Sequence, residues 1–117
     1  MNFTIQKREK YSLVKVAGVR LDSFVAPELK AEFLMLVNQG EHEIILDLSG
    51  CEFCDSSGLS AILVGNRLCD DSEGTFILCH LSESVDRMIR LAMLDSILLM
   101  AADVEEAEKL LQKKTEL

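Results

Sequence analysis

Basic residues never cluster in this sequence, no apolar stretch runs long, and proline occurs once. The 12 Lys and Arg are interspersed among 20 acidic residues, for a net charge of -8. Without a basic stripe to neutralise phosphates, no nucleic-acid partner is expected. The same acidity disfavours docking on anionic membrane surfaces. The longest apolar runs, such as Ile97 to Ala102, fall well short of the ~20 residues that a bilayer span needs. Met1 to Lys10 is polar and mixed in charge, with no apolar signal-peptide core. Four cysteines form a disulfide set only in an exported chain, so a cytoplasmic protein with reduced thiols is expected. What remains is an ordinary globular composition, 49% hydrophobic and 27% charged. Its 117 residues suit one domain, 1–117, burying about two-thirds of its unfolded surface.

Phe3 and Ile5 alternate with Thr4 and Gln6, and Leu13, Val14 and Val16 follow the charged turn Arg8-Glu9-Lys10, which reads as an antiparallel hairpin. Gly18 closes its second strand. A helix is expected from about Ala26, with Pro27 in the first turn, where its missing N–H has no intrahelical partner. Leu29, Phe33, Leu36 and Val37 form its apolar stripe, and Gly40 is its C-terminal stop. Glu43 to Leu48 is apolar without alternation, as in a central strand covered on both faces. Leu59, Ile62, Leu63 and Asn66 mark a second helix to about Cys69, and Asp70 to Gly74 a turn. Thr75 to Cys79 reads as another buried strand. Ser82 can cap a third helix with Val85, Met88, Ile89 and Ala92 on its apolar face. Ile97 to Met100 reads as a last strand. Asp103 with Glu106 makes an acidic capping box for a final helix carrying Val104, Ala107 and Leu111. The resulting expectation is an α/β fold: a mixed four- to five-stranded sheet with about four helices packed on it.

The most informative segment is Ile45-Leu46-Asp47-Leu48, then Phe53, then Asp55-Ser56-Ser57-Gly58-Leu59. Ser56 and Ser57 fall at a helix start, where hydroxyl oxygens cap free N–H groups. The loop leaves the C-terminal end of a central strand, the usual location of function in open α/β sheets. Gly58 has no side chain, so a partner's backbone can approach closely there. No His or Lys lies in the segment to activate a serine, so the hydroxyl suits a substrate better than a catalyst.

This segment resembles the signature of STAS-domain anti-sigma factor antagonists. Gly18 with Leu21-Asp22, Gly74 to Leu78, and Ser82 to Leu94 resemble the corresponding parts of that family, so the likeness spans nearly the whole chain. The resemblance implies a single STAS domain that is a binding protein and not an enzyme. It implies that the unphosphorylated form binds an anti-sigma factor, a serine kinase related to histidine-kinase ATPases, and so frees a sigma factor. It further implies that Ser56 is phosphorylated by that kinase, that a metal-dependent serine phosphatase resets it, and that Asp55 orients the loop. Asp22, Ser23, Asp55, Ser56, Ser57, Gly58 and Leu59 would form the binding face. Cys54 departs from the family, which usually has a larger apolar residue there.

Two other readings compete. One keeps the fold as a constitutive STAS scaffold subunit of a lipid-transport ATPase or a signalling assembly. The other is a thiol or metal enzyme built on Cys51-x-x-Cys54. A zinc site needs a second ligand pair, and Cys69, Cys79, His42 and His80 do not repeat the close spacing. A redox pair normally opens a helix, whereas this one precedes it. The cysteines are therefore expected as small buried hydrophobes, with no metal, cofactor or catalytic residue. His42 is expected in a solvated turn, His80 as a satisfied polar residue, and Asp70 to Glu73 as a solvated acidic loop.

Overall fold

Two runs without polar alternation lie side by side at the centre of the fold. Apolar side chains on both faces of a strand need cover on both sides, and this pair receives it. The computed structural model describes residues 2–115, with the side chains of 2–113. Met1, Glu116 and Leu117, which the single-domain reading includes, lie outside the described residues. The elements in chain order are β1 (Phe3–Lys7), β2 (Ser12–Val16), β3 (Arg20–Leu21), α1 (Ala26–Asn38), β4 (Glu43–Asp47), β5 (Phe53–Cys54), α2 (Ser56–Asp71), β6 (Thr75–Cys79), α3 (Glu83–Leu91), β7 (Leu99–Ala101) and α4 (Val104–Thr115).

Five strands form one mixed sheet in the order β1-β2-β4-β6-β7. β1 and β2 are the antiparallel hairpin, and every other neighbour pair is parallel. Alternation along the inner strands splits the core in two. Ile44 and Leu46 of β4, with Phe76 and Leu78 of β6, join Leu29, Phe33 and Ile62 of α1 and α2, and Val85 and Ile89 of α3. Ile45 and Ile77 point the other way, onto Ala107 and Leu111 of α4. The expected fold class is therefore the observed one: α/β, a five-stranded mixed sheet, and four helices among the described residues.

Local detail departs from the sequence reading in several places. β3 and β5 pair in parallel as a separate two-stranded sheet that periodicity did not indicate. The last strand begins at Leu99 instead of Ile97, because Ile97 and Leu98 donate to the Leu94 carbonyl in a turn. α2 runs on to Asp71, so Asp70 and Asp71 belong to its last turn and not to a loop. His42 is half-buried and not solvated, with its carbonyl accepting from Thr75 N–H and the Gly74 backbone packed against it.

Three helices leave through the same motif. After α1 the N–H of Gly40 bonds Val37 O and that of Glu41 bonds Leu36 O, with Gly40 at φ +88°. α2 repeats this pattern with Glu73 (φ +61°) and α3 with Met93 (φ +61°) at the left-handed position. Gly40 was the one of these that composition revealed. Both predicted caps of the later helices form: Val85 N–H donates to Ser82 Oγ, and Glu106 N–H to Asp103 Oδ1. Glu106 reaches back to the N–H of Ala102, one residue before the cap.

Phe33 is fully buried and meets Phe76 edge-on, with ring centroids 5.4 Å apart. Phe33→Ala is expected to lower the unfolding free energy by about 3–5 kcal/mol, read from urea denaturation followed by circular dichroism.

Candidate functional site

The two-residue strands β3 and β5 decide where the D-S-S-G-L segment goes. Arg20 pairs with Phe53 and Leu21 with Cys54. Asp22 and Asp55 are thus each the first residue beyond a strand, at the same end of the small sheet. The N–H of Asp55 donates to Leu21 O at 3.2 Å, extending the pairing by one step.

Asp55 then caps α2. Its backbone is extended (φ -97°, ψ -172°), and its Oδ1 accepts from the N–H of Gly58 at 2.9 Å. This corrects the expectation that the serines cap the helix. Ser56 and Ser57 are the first two helical residues, where backbone N–H groups have no intrahelical acceptor. Ser56 is exposed and Ser57 half-buried, and neither hydroxyl has a hydrogen-bond partner among the described residues. Gly58 also differs from its expected role. It is buried, and an added Cβ would collide with Leu21 O and lie 2.7 Å from Cys54 Sγ. Its missing side chain admits the chain's own β3, not a partner. Leu59 is half-buried against the core.

The neighbouring loop is ordered by Asp22. Its Oδ1 accepts from Phe24 N–H at 3.0 Å, and its carbonyl accepts from Val25 and Ala26 N–H. Arg20 Nε lies 3.4 Å from Asp22 Oδ2, and the guanidinium stacks 4.1 Å from the centre of the Phe53 ring. Ser23 is exposed, and Phe24 beside it is 86% exposed. Val19 and Phe53 are also open to solvent. The structure thus brings Asp22, Ser23, Asp55, Ser56 and Ser57 to one end of the small sheet. Phe24, Phe53 and Arg20 border it and escaped the sequence reading. A lone Phe between Ser23 and Pro27, outside any periodic stripe, was the available signal for Phe24.

Cys51 and Cys54 are free, buried thiols. Burial raises the Cys51 pKa. Burial, then the nearby Cys51 and Asp55, push Cys54 up to about 12. Neither is therefore a ready thiolate nucleophile.

The family model described as the STAS domain matches residues 2–107. BtrV of Bordetella bronchiseptica, provisionally named an anti-sigma factor antagonist, is 28% identical over 107 residues, covering 92% of this chain and 91% of that protein. A crystal structure from Thermotoga maritima, provisionally described as an anti-sigma factor antagonist, superposes with a TM-score of 0.84 at 27% identity, covering 94% of each chain. The Bacillus cell fate determinant SpoIIAA, solved in its phosphorylated form, gives a TM-score of 0.73 at 21% identity, covering 92% of this chain and 98% of that one.

The capping geometry separates three neighbouring residues by stability. Asp55→Ala is expected to cost about 1 kcal/mol, and Gly58→Ala about 1–3 kcal/mol through its clash with β3. Ser57→Ala should stay within about 0.5 kcal/mol of wild type. Denaturant titration of the three variants checks the order, and a Ser57→Ala loss matching Asp55→Ala would refute the assignment of the cap.

Proposed function

This chain belongs to the STAS domain family, and we propose that it acts there as an anti-sigma factor antagonist, with residues 1–117 working as one domain. Unphosphorylated, it binds an anti-sigma factor that is also a serine kinase, and a sigma factor is released. The kinase moves the γ-phosphoryl group of ATP to Ser56 Oγ, the hydroxyl proton leaves, and binding ends. A serine phosphatase returns Ser56 to its free hydroxyl by hydrolysis. The protein works in the cytoplasm and is not itself an enzyme. Among the described residues no helix is long and apolar enough to cross a membrane.

The observation that carries this reading is the free, exposed hydroxyl of Ser56 beside an Asp55 already committed as the cap. Because capping falls to Asp55, Ser56 can be modified without removing a hydrogen bond that holds α2. The binding face comprises Asp22, Ser23, Asp55, Ser56 and Ser57, with Gly58 and Leu59 supporting it from beneath, and Phe24 adds an apolar contact. The names of BtrV and the Thermotoga protein support the antagonist role, and the phosphorylated form of SpoIIAA supports the switch.

Charge explains why phosphorylation would end binding. Phosphate brings about -1.5 to -2 charges. The free N–H groups and dipole at the start of α2 favour that charge by ~0.3–1 kcal/mol, while Asp55 and Asp22 oppose it. Within the domain these effects offset each other. At an interface fitted to a neutral hydroxyl, the partner has to bury an unpaired dianion, which is very costly.

Incubation with the kinase encoded nearest to this gene and ATP should place phosphate on Ser56. Ser56→Ala should abolish labelling and retain kinase binding. Labelling that survives Ser56→Ala and disappears in Ser57→Ala would overturn the site. The phosphorylated protein should lose partner affinity while its stability moves by less than about 1 kcal/mol. Its amide NMR shifts should be confined to the residues around Asp22 and 55–59, and a fold-wide change would refute the local block. Ser56→Asp, with one charge and less bulk, should weaken binding only in part.

A further inference from the structure

Away from the Ser56 surface, the C-terminal ends of β4 and β6 gather a second set of polar side chains. Asp47 and Cys79 are paired in register as the last residues of these strands. Both are buried, on the face covered by α4. His80 follows at φ +56°, a left-handed conformation uncommon for a residue with a Cβ. Its N–H donates to Ala102 O, tying it to the exit of β7. The turn carries the imidazole back over the strand ends, with Nδ1 3.0 Å from Asp47 Oδ1 and 3.9 Å from Cys79 Sγ. One ligand atom from each residue lies within 4.8 Å of the others, and no other such trio of His, Cys, Asp or Glu forms among the described residues.

We propose that Asp47, Cys79 and His80 bind a zinc-class divalent cation, with the Asp47 carboxylate, Cys79 Sγ and His80 Nδ1 as ligands and water in the fourth position. The donor set selects the ion: thiolate and imidazole suit Zn²⁺, whereas Mg²⁺ and Ca²⁺ take oxygen ligands. Tetrahedral zinc with bonds of about 2.0–2.3 Å sets its ligands roughly 3.3–3.6 Å apart, and the two observed separations straddle that range. All three ligand atoms lie within 4.8 Å of one another, so the side chains draw inward onto the ion. Ser49 N–H, 2.9 Å from Asp47 Oδ1, orients the carboxylate from behind. The imidazole is partly open to solvent, which leaves the ion a way in.

Binding the ion has to displace the Cys79 proton. Burial, then Asp47 and Asp103, push Cys79 up to about 12. A dication reverses the influence of both carboxylates, and the thiol releases its proton as the metal–sulfur bond forms.

The proposal is independent of Ser56, and its test uses the full reduced chain. Zn²⁺ is titrated against a chromophoric chelator, and Co²⁺ serves as the spectroscopic probe. One Zn²⁺ per chain is expected, and Co²⁺ should show tetrahedral d–d absorption with a thiolate-to-cobalt charge-transfer band. His80→Asn should weaken Zn²⁺ binding at least about tenfold, and asparagine tolerates the left-handed backbone at this position. A Cys51→Ser/Cys54→Ser double variant should bind as wild type does. Absence of the charge-transfer band, Zn²⁺ affinity unchanged in His80→Asn, or loss of binding in the double variant would each overturn the site.

Discussion

The rest of the molecule depends on burying β4 and β6 on both faces. Each is five residues long and predominantly apolar, and neither can leave a face in water. Cover on one side comes from α1, α2 and α3, and on the other from α4. Parallel pairing of β2, β4, β6 and β7 sends every intervening connection over a face and returns each strand in the same direction. All their C-terminal ends therefore lie along one edge of the sheet. Both the Ser56 surface and the Asp47–Cys79–His80 trio sit where the chain leaves that edge, and neither required a separate architectural device.

Much of this was legible in the sequence because apolar periodicity reports burial, and burial dictates the sheet. Glu43 to Leu48 and Thr75 to Cys79 announced themselves by lacking alternation, and Ser82 and Asp103 by their offset from an apolar stripe. The small sheet was not legible. Two residues hold no period, and the constraint pairing Leu21 with Cys54 resides in Gly58, whose missing side chain carries meaning only beside β3. The helix exits show the same boundary. Gly40 is a recognisable stop because glycine adopts a positive φ freely. Glu73 and Met93 adopt it too, with nothing in their composition to say so. The Asp47–His80 contact joins residues 33 positions apart, and the sequence reading of His80 as a satisfied polar group was correct without naming its partner.

Asp55 and Ser56 divide two tasks that the sequence reading had merged. A side chain that caps a helix spends its oxygen on a backbone N–H, whereas the next residue, already inside the first turn, keeps its hydroxyl toward solvent. The dipole of a 16-residue helix converges on that hydroxyl while the carboxylate beside it closes the turn. The unpaired N–H groups of the first turn and the Asp55 carboxylate thus act on that hydroxyl with opposite sign.

The two outer strands bear on how the folded protein behaves in a crowded solution. A sheet with an open flank offers unpaired N–H and C=O groups as a template on which another chain can polymerise. On one flank stands β7, three residues long and continuing almost at once into α4. A neighbouring molecule docking there gains too few ladder hydrogen bonds to offset its lost freedom. On the other flank β1 ends in Gln6 and Lys7, and stacking identical copies in register would bring like charges together. Fibril growth is thus checked at both flanks by brevity and charge.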